Sequence, residues 1–162
     1  MYKLPHNVIA DLIEFRTAQN ELLADYESEK NNEMAFLVRW SILEYFVKAI
    51  AAERRRIQLR NSLLAWLSYV DGDAEKPSKN PQTSIEARTL PNKSEFIVSL
   101  NDFGFKGNEV WELMDSRGKY RRHRNELAHT GKKFINALNF YFMCVQMDKL
   151  INKVFRKIES NK

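Results

Sequence analysis

The sequence predicts an all-α protein, a single domain over residues 1–162 arranged as an up-and-down bundle of four or five helices. Apolar side chains recur every three or four positions through most of the chain, no useful length alternates as a strand does, and no internal repeat is present. With 44% hydrophobic and 12% aromatic residues, the chain can fill an ordinary core, which excludes a disordered polymer.

In the first segment Val8, Ile9, Leu12, Ile13, Phe15, Leu22, Leu23 and Tyr26 keep helical spacing. Pro5 suits the start of that helix, where its missing amide hydrogen costs nothing. The polar stretch Glu27 to Glu33 reads as a turn. The most apolar stripe follows, through Phe36, Val38, Ile42, Leu43, Phe46, Val47, Ile50 and Ala51. It carries on past Arg54, Arg55 and Arg56 into Ile57, Leu63, Leu64, Trp66, Leu67 and Val70. One long helix or two in line fit this stripe, which is expected to form the structural spine. From Asp71 to Pro91 the breakers Gly72, Pro77, Pro81 and Pro91 predict a loop insertion at 71–91, either functional or disordered.

Order returns at Asn92, which with Glu95 makes a capping pair before Phe96, Ile97, Val98 and Leu100, and Gly104 supplies the stop. Asn108 is the expected cap of the next helix, carrying Val110, Trp111, Leu113 and Met114. Gly118 is expected to interrupt it before a basic stretch that Gly131 ends. The last helix is expected from about Lys132 to Ile158, burying Phe134, Ile135, Leu138, Tyr141, Phe142, Val145, Leu150, Ile151, Val154 and Phe155.

The formal net charge of +5 favours polyanionic partners through long-range attraction, although simple solubility explains it equally well. A lone cysteine, Cys144, rules out a disulfide within the chain and argues against a cysteine-based zinc site; in its apolar run it reads as a small core hydrophobe. Residues Met1 to Ala10 lack a signal-peptide pattern and no apolar stretch is long enough to span a bilayer. A reducing, cytoplasmic setting away from membranes is expected.

One segment stands apart: Arg121-Arg122-His123-Arg124-Asn125-Glu126-Leu127-Ala128-His129-Thr130-Gly131. Its Arg124-Asn125-x-x-x-His129 core resembles the R-x(4–6)-H signature of the HEPN superfamily (higher eukaryotes and prokaryotes nucleotide-binding). Asn is a frequent second residue of that signature, and the family places it before the last long helix of an all-helical bundle. The resemblance implies a HEPN-like fold and a metal-independent endoribonuclease that works as a homodimer, with two motifs facing one cleft. It also implies a toxin or a defence or stress effector, with RNA as substrate and an antitoxin or other neutralising protein as a further partner. Some family members bind RNA or nucleotide, or serve as scaffolds, without cleaving, and that is the alternative reading. In one subgroup of toxins the motif extends to a tyrosine two residues past the histidine; here that position is Gly131, which argues against regulation by modification of that tyrosine.

The residue chemistry leads to a compatible place. No carboxylate and histidine set has convincing two-metal spacing, and no cofactor is called for. Without a metal, the accessible route is attack by the RNA 2′-hydroxyl on its neighbouring phosphate, a route closed to DNA. Histidine suits the base and arginine the cation, so His129 and Arg124 are the candidates, with Asn125 orienting the phosphate or the imidazole. Residues five apart on one regular helix project about 140° from each other, so the pair needs either a helix end near Gly131 or a second motif across a twofold axis. As an ordinary structural pair, Arg124 would instead bond Glu126 or Asp115, and His129 would cap its helix.

Arg117, Lys119, Arg121, Arg122, Lys132 and Lys133 are candidates to track an RNA backbone, and Tyr120 to stack on a base. Arg54, Arg55, Arg56 and Arg60 form a second basic run, but helical spacing spreads it around the axis and solvation is expected. Glu44, in the apolar second segment, either supports Arg124 or His129 or faces solvent. His123 lacks motif neighbours, and His6 sits near a terminus.

Overall fold

Helix α1 (His6–Ser28) begins after Pro5, whose φ of −63° and ψ of 148° set the entry, and buries Val8, Ile9 and Leu12. A computed structural model of the chain describes residues 1–81, 84–86, 89–116, 119–130 and 137–160, with side chains for all of these but 130 and 137–139. After a tight turn through Lys30, at a positive φ of 57°, Asn31 caps α2 (Asn32–Val70) by accepting from the Met34 amide at 3.2 Å.

The long stripe is one helix of 39 residues, about 58 Å at 1.5 Å per residue. Its buried residues run from Ala35 to Glu53, and α1, α3, α5 and α6 all pack against it, so this half is the spine. The other half is not core. Leu63, Leu64, Leu67 and Val70 are between 52% and 74% exposed, because a helix this long runs past neighbours of 23 residues, about 35 Å.

Residues 71–91 contain no regular element among those described, but they are tied to α2. The Trp66 indole donates to the Lys79 carbonyl at 3.1 Å and the Arg55 guanidinium to the Glu86 carbonyl at 2.8 Å. Leu90 packs against the core and Pro91 is buried. The described part of the insertion is thus anchored at several points.

Asn92 caps α3 (Lys93–Asp102) as expected, accepting from the Glu95 amide at 3.0 Å. Asn92→Ala is expected to cost about 1 kcal/mol in urea unfolding, while Asn92→Asp leaves the midpoint nearly unchanged. Gly104, at a φ of 78°, follows the helix end in the left-handed region a stop requires.

The expected cap at Asn108 is corrected: Lys106 holds the cap position, so α4 (Gly107–Trp111) starts two residues earlier, and the Gly107 amide is held by the Asn101 side chain at 3.0 Å. A Cβ at Gly107 would run into the Ile97 backbone, so only glycine lets α4 sit this close to α3. A π-helical turn, Glu112–Ser116, continues from α4 and buries Met114. Gly118 lies outside the described residues. Lys119, at a φ of 53°, precedes α5 (Tyr120–Thr130), and α6 (Ala137–Glu159) completes the chain. Gly131, Lys132, Phe134 and Ile135 lie outside the described residues, as does the side chain of Leu138.

The described residues therefore hold six α-helices and a π turn, against four or five helices expected, and no strand. The excess comes from the stretch expected as one helix interrupted at Gly118, where α4 and α5 are separate helices. The core joins α2 residues Phe36, Leu43, Phe46 and Ile50 to Phe96, Phe105, Met147 and Phe155. Two residues expected inside are outside: Tyr141 is 69% and Phe142 62% exposed.

Among the described residues one cation is inside. Arg39 is 6% exposed, donating to both Asp148 oxygens at 2.9 and 3.1 Å, to Glu27 at 2.5 Å and to the Ala35 carbonyl at 3.2 Å. Burial opposes its charge, but the Asp148 and Glu27 bonds outweigh that and push its pKa above the ordinary arginine value. The cluster fastens α1 and α6 to α2. Cys144 lies beside it, buried; burial first, and the Asp148 and Glu27 charges, outweigh Arg39 and push the thiol up to about 11. Cys144 is a core residue, as expected, and not an activated nucleophile.

Candidate functional site

Helix α5 carries the basic motif, and its pattern fixes which residues point inward. Tyr120, Arg124 and Leu127 follow the spacing of one helix face. Tyr120 is 3% exposed and meets Phe36 of α2 edge-on at 6.3 Å, and Leu127 packs on the core. Arg124, between them, is therefore held half-buried beside α2, where Glu44 lies. His129 is on another face of the same helix and is exposed.

Glu44 accepts from the Trp40 indole at 2.5 Å and pairs with Lys48 at 2.7 Å. Burial works to raise its pKa, but the bonds from Lys48 and Trp40, with the charges of Lys48 and Arg124, hold it below the usual carboxylate range. Glu44 thus stays an anion beside Arg124. Of the two options open for it, support of Arg124 matches this placement; His129 does not line the same cleft.

That cleft has a volume of about 290 Å³. Lys48 and Glu44 of α2 form one side, Arg121, Arg124 and Asn125 of α5 another, and Thr89 with Leu90 a third. A second depression of about 400 Å³ lies on the other flank of α5, between Asp115 and Arg122, and shares Arg121 and Asn125 with the first. Arg124 donates to the Asn125 side-chain oxygen at 3.0 Å.

The carboxylates that would make Arg124 an ordinary structural pair have other partners. Asp115 holds Arg121 at 2.9 Å, and Glu126 holds Arg122 at 2.9 Å with His123 at 4.0 Å. The guanidinium of Arg124 bonds the neutral Asn125 side chain and lies near the Glu44 anion, in a cleft containing two further cations, Lys48 and Arg121. Such a cleft can take a phosphodiester.

Arg124 and His129 do not meet within one copy. The helix is continuous from Tyr120 to Thr130, so no helix end intervenes to bend them together, and the 140° separation stands. Tyr120 is corrected from a base-stacking ring to a core residue, its hydroxyl pushed up to about 12 by burial first and then by Cys144. Arg121 and Arg122 line the depressions on α5, and Lys119 is exposed at its start. Arg117, Lys132 and Lys133 lie outside the described residues.

The second basic run is structural. Arg54 pairs with Asp102 and Arg55 with Glu95, each at 2.6 Å, clasping α3 to α2, while Arg56 pairs with Glu53. Solvation was expected for the whole run; ion pairing with α3 replaces it at Arg54 and Arg55, while Arg56 and Arg60 are exposed as expected. Sequence reasoning missed Trp40, Lys48, Thr89 and Leu90 in the cleft. Lys48 had a signal, one helical turn after Glu44, but Thr89 and Leu90 had none, since the path of a loop is not written in its period.

Among the described residues no three His, Cys, Asp or Glu side chains gather as a metal site would, and no helix is long and apolar enough to cross a membrane. No family model, no curated protein and no solved structure matches the chain.

Proposed function

We propose that the chain is a HEPN-type endoribonuclease that cuts RNA without a metal, in a site completed by two copies of itself. The observation that carries this reading is the Arg124 guanidinium, held beside α2 in a cationic cleft, on the helix that also bears Asn125 and His129 and precedes the last long helix. An up-and-down, HEPN-like arrangement is part of the proposal, and so is a cytoplasmic role as a toxin or defence effector with a neutralising partner.

In this mechanism His129 takes the proton of the 2′-hydroxyl, whose oxygen attacks the adjacent phosphorus. Arg124, steadied by Glu44 and Asn125, neutralises the charge that builds on the phosphoryl oxygens. The 5′-oxygen leaves with a proton from the histidine of the second copy, giving a 2′,3′-cyclic phosphate and a 5′-hydroxyl. Two copies are needed because one copy holds Arg124 and His129 about 140° apart around α5.

Incubation of mixed RNA with the protein in excess EDTA tests this directly. Fragments ending in 2′,3′-cyclic phosphate are expected; cleavage that requires added Mg²⁺ sinks the mechanism. Light scattering at micromolar concentration is expected to give the mass of a dimer. The alternative, a non-catalytic module that binds RNA or nucleotide or scaffolds partners, is favoured by the same divergence of Arg124 and His129. RNA binding without any cleavage would establish it.

A further inference from the structure

The far half of α2 carries an apolar face that nothing in the same copy covers. Leu63, Leu64, Leu67 and Val70 are each at least half exposed, while the 71–91 segment is tied to a neighbouring face of the helix through Trp66 and Arg55. Arg60, Leu63, Leu67 and Val70 are spaced three, four and three residues apart, which makes a seam that a second helix can pack along. We infer that this seam pairs antiparallel with the same seam of another copy, as an interface separate from the one that completes the candidate site. The inference does not depend on the ribonuclease reading.

Charge selects the occupant. The seam begins on a cation, Arg60, and ends on two anions, Asp71 and Asp73. All three are exposed, and among the described residues no ion pair engages any of them. A twofold axis near residue 65 brings each Arg60 to the Asp71–Asp73 end of the other copy and each Leu63 to Leu67. A parallel pair would instead set Arg60 on Arg60 and Asp71 on Asp71. The face is therefore complementary to itself in one direction only, as a contact across a twofold requires. Distance keeps this contact apart from the candidate site. Glu44 and Lys48 precede the axis by about 30 Å along α2, so pairing through the seam leaves the two Arg124 clefts about 60 Å apart. One phosphodiester cannot reach both. Area sets the strength: the four apolar side chains with Arg60 and Asp71 bury on the order of 1,000 Å² over both copies, the low end for a specific contact. The pairing is weak, half complete at about 100 µM, above the range in which the site-completing dimer is expected.

Sedimentation equilibrium of the full chain from about 1 to about 500 µM tests this, with the average mass expected at least to double across the range. Leu67→Glu sets a carboxylate against Leu63 of the other copy, and the rise is expected to vanish. Arg60→Glu and Asp71→Lys each place like charges together twice in the pair, and each is expected to move the midpoint up by at least about ten-fold. The double variant Arg60→Glu with Asp71→Lys restores opposite charges only if the copies run antiparallel, and its midpoint is expected to return to within about three-fold of the unaltered protein's. All three positions are exposed, and an unaltered circular dichroism spectrum shows that each variant is folded. A mass that stays constant over the whole range overturns the inference and leaves the stripe to a different protein. A rise that persists in Leu67→Glu, or a double variant no better than the single ones, overturns it as well.

Discussion

Under the proposed ribonuclease reading, Arg124→Ala and His129→Ala are each expected to lower metal-free RNA cleavage by about 10²–10⁴-fold, the range for removing a charge stabiliser or a proton-transfer group. The double variant is expected to be little worse than either alone, because residues that act as one unit lose their effect together. Neither change should unfold the protein. His129 is exposed, and the Arg124 guanidinium makes its described hydrogen bond to its own neighbour, Asn125. A sharper result comes from mixing the two inactive proteins. Since Arg124 and His129 of one copy face apart on a continuous α5, a productive pair must be drawn from different copies. A mixed dimer keeps one intact arginine from one copy and one intact histidine from the other but lacks the second histidine of the acid–base pair, so activity above that of either variant alone, though well below the unaltered protein's, should return. Two dead variants that stay dead when refolded together would remove the composite site. Full activity in either single variant would remove the motif from the chemistry.

Much of this was legible in the sequence, and the reasons it stopped are physical. Periodicity found α1, α2 and α3, and the Asn92–Glu95 pair located the start of α3 to the residue, because caps and stripes are local. The place of the basic motif on one helix ahead of the last long one was legible for the same reason. Local patterns do not say what lies across the bundle. Arg39, between Val38 and Trp40, has no sequence neighbour that explains its burial; its partners are 12 and 109 positions away. Tyr120 sits in a basic run that looks wet, yet it occupies the inward face of α5. Tyr141 and Phe142 err in the other direction, apolar residues on the outward face of α6 between Phe140 and Met143, which face the core. Thr89 and Leu90 are visible as a wall only once α2 and α5 are in place.

The buried cation makes the second large prediction, and it concerns an order of effects. Arg39 is 7% exposed at its side chain, whereas Glu27 and Asp148 are 52% and 41% exposed. Removing the carboxylate charges with Glu27→Gln and Asp148→Asn strands a guanidinium in the core, and the loss is expected to reach about 3–5 kcal/mol. Removing the cation with Arg39→Met leaves two carboxylates that are already half in water and an unbranched apolar chain in the vacated space. That change is expected to cost no more than about 1 kcal/mol, since replacing a buried ion pair by packed apolar groups is often neutral. Urea unfolding of the three proteins gives the comparison, and far-ultraviolet circular dichroism shows whether each remains helical. If Arg39→Met is the more damaging change, the cluster stabilises chiefly through its own bonds and not through avoiding a stranded charge. The expected order would mean that the site reads as a clasp with one intolerant member: α1 and α6 can each lose their grip on α2, but the cation between them cannot be left alone.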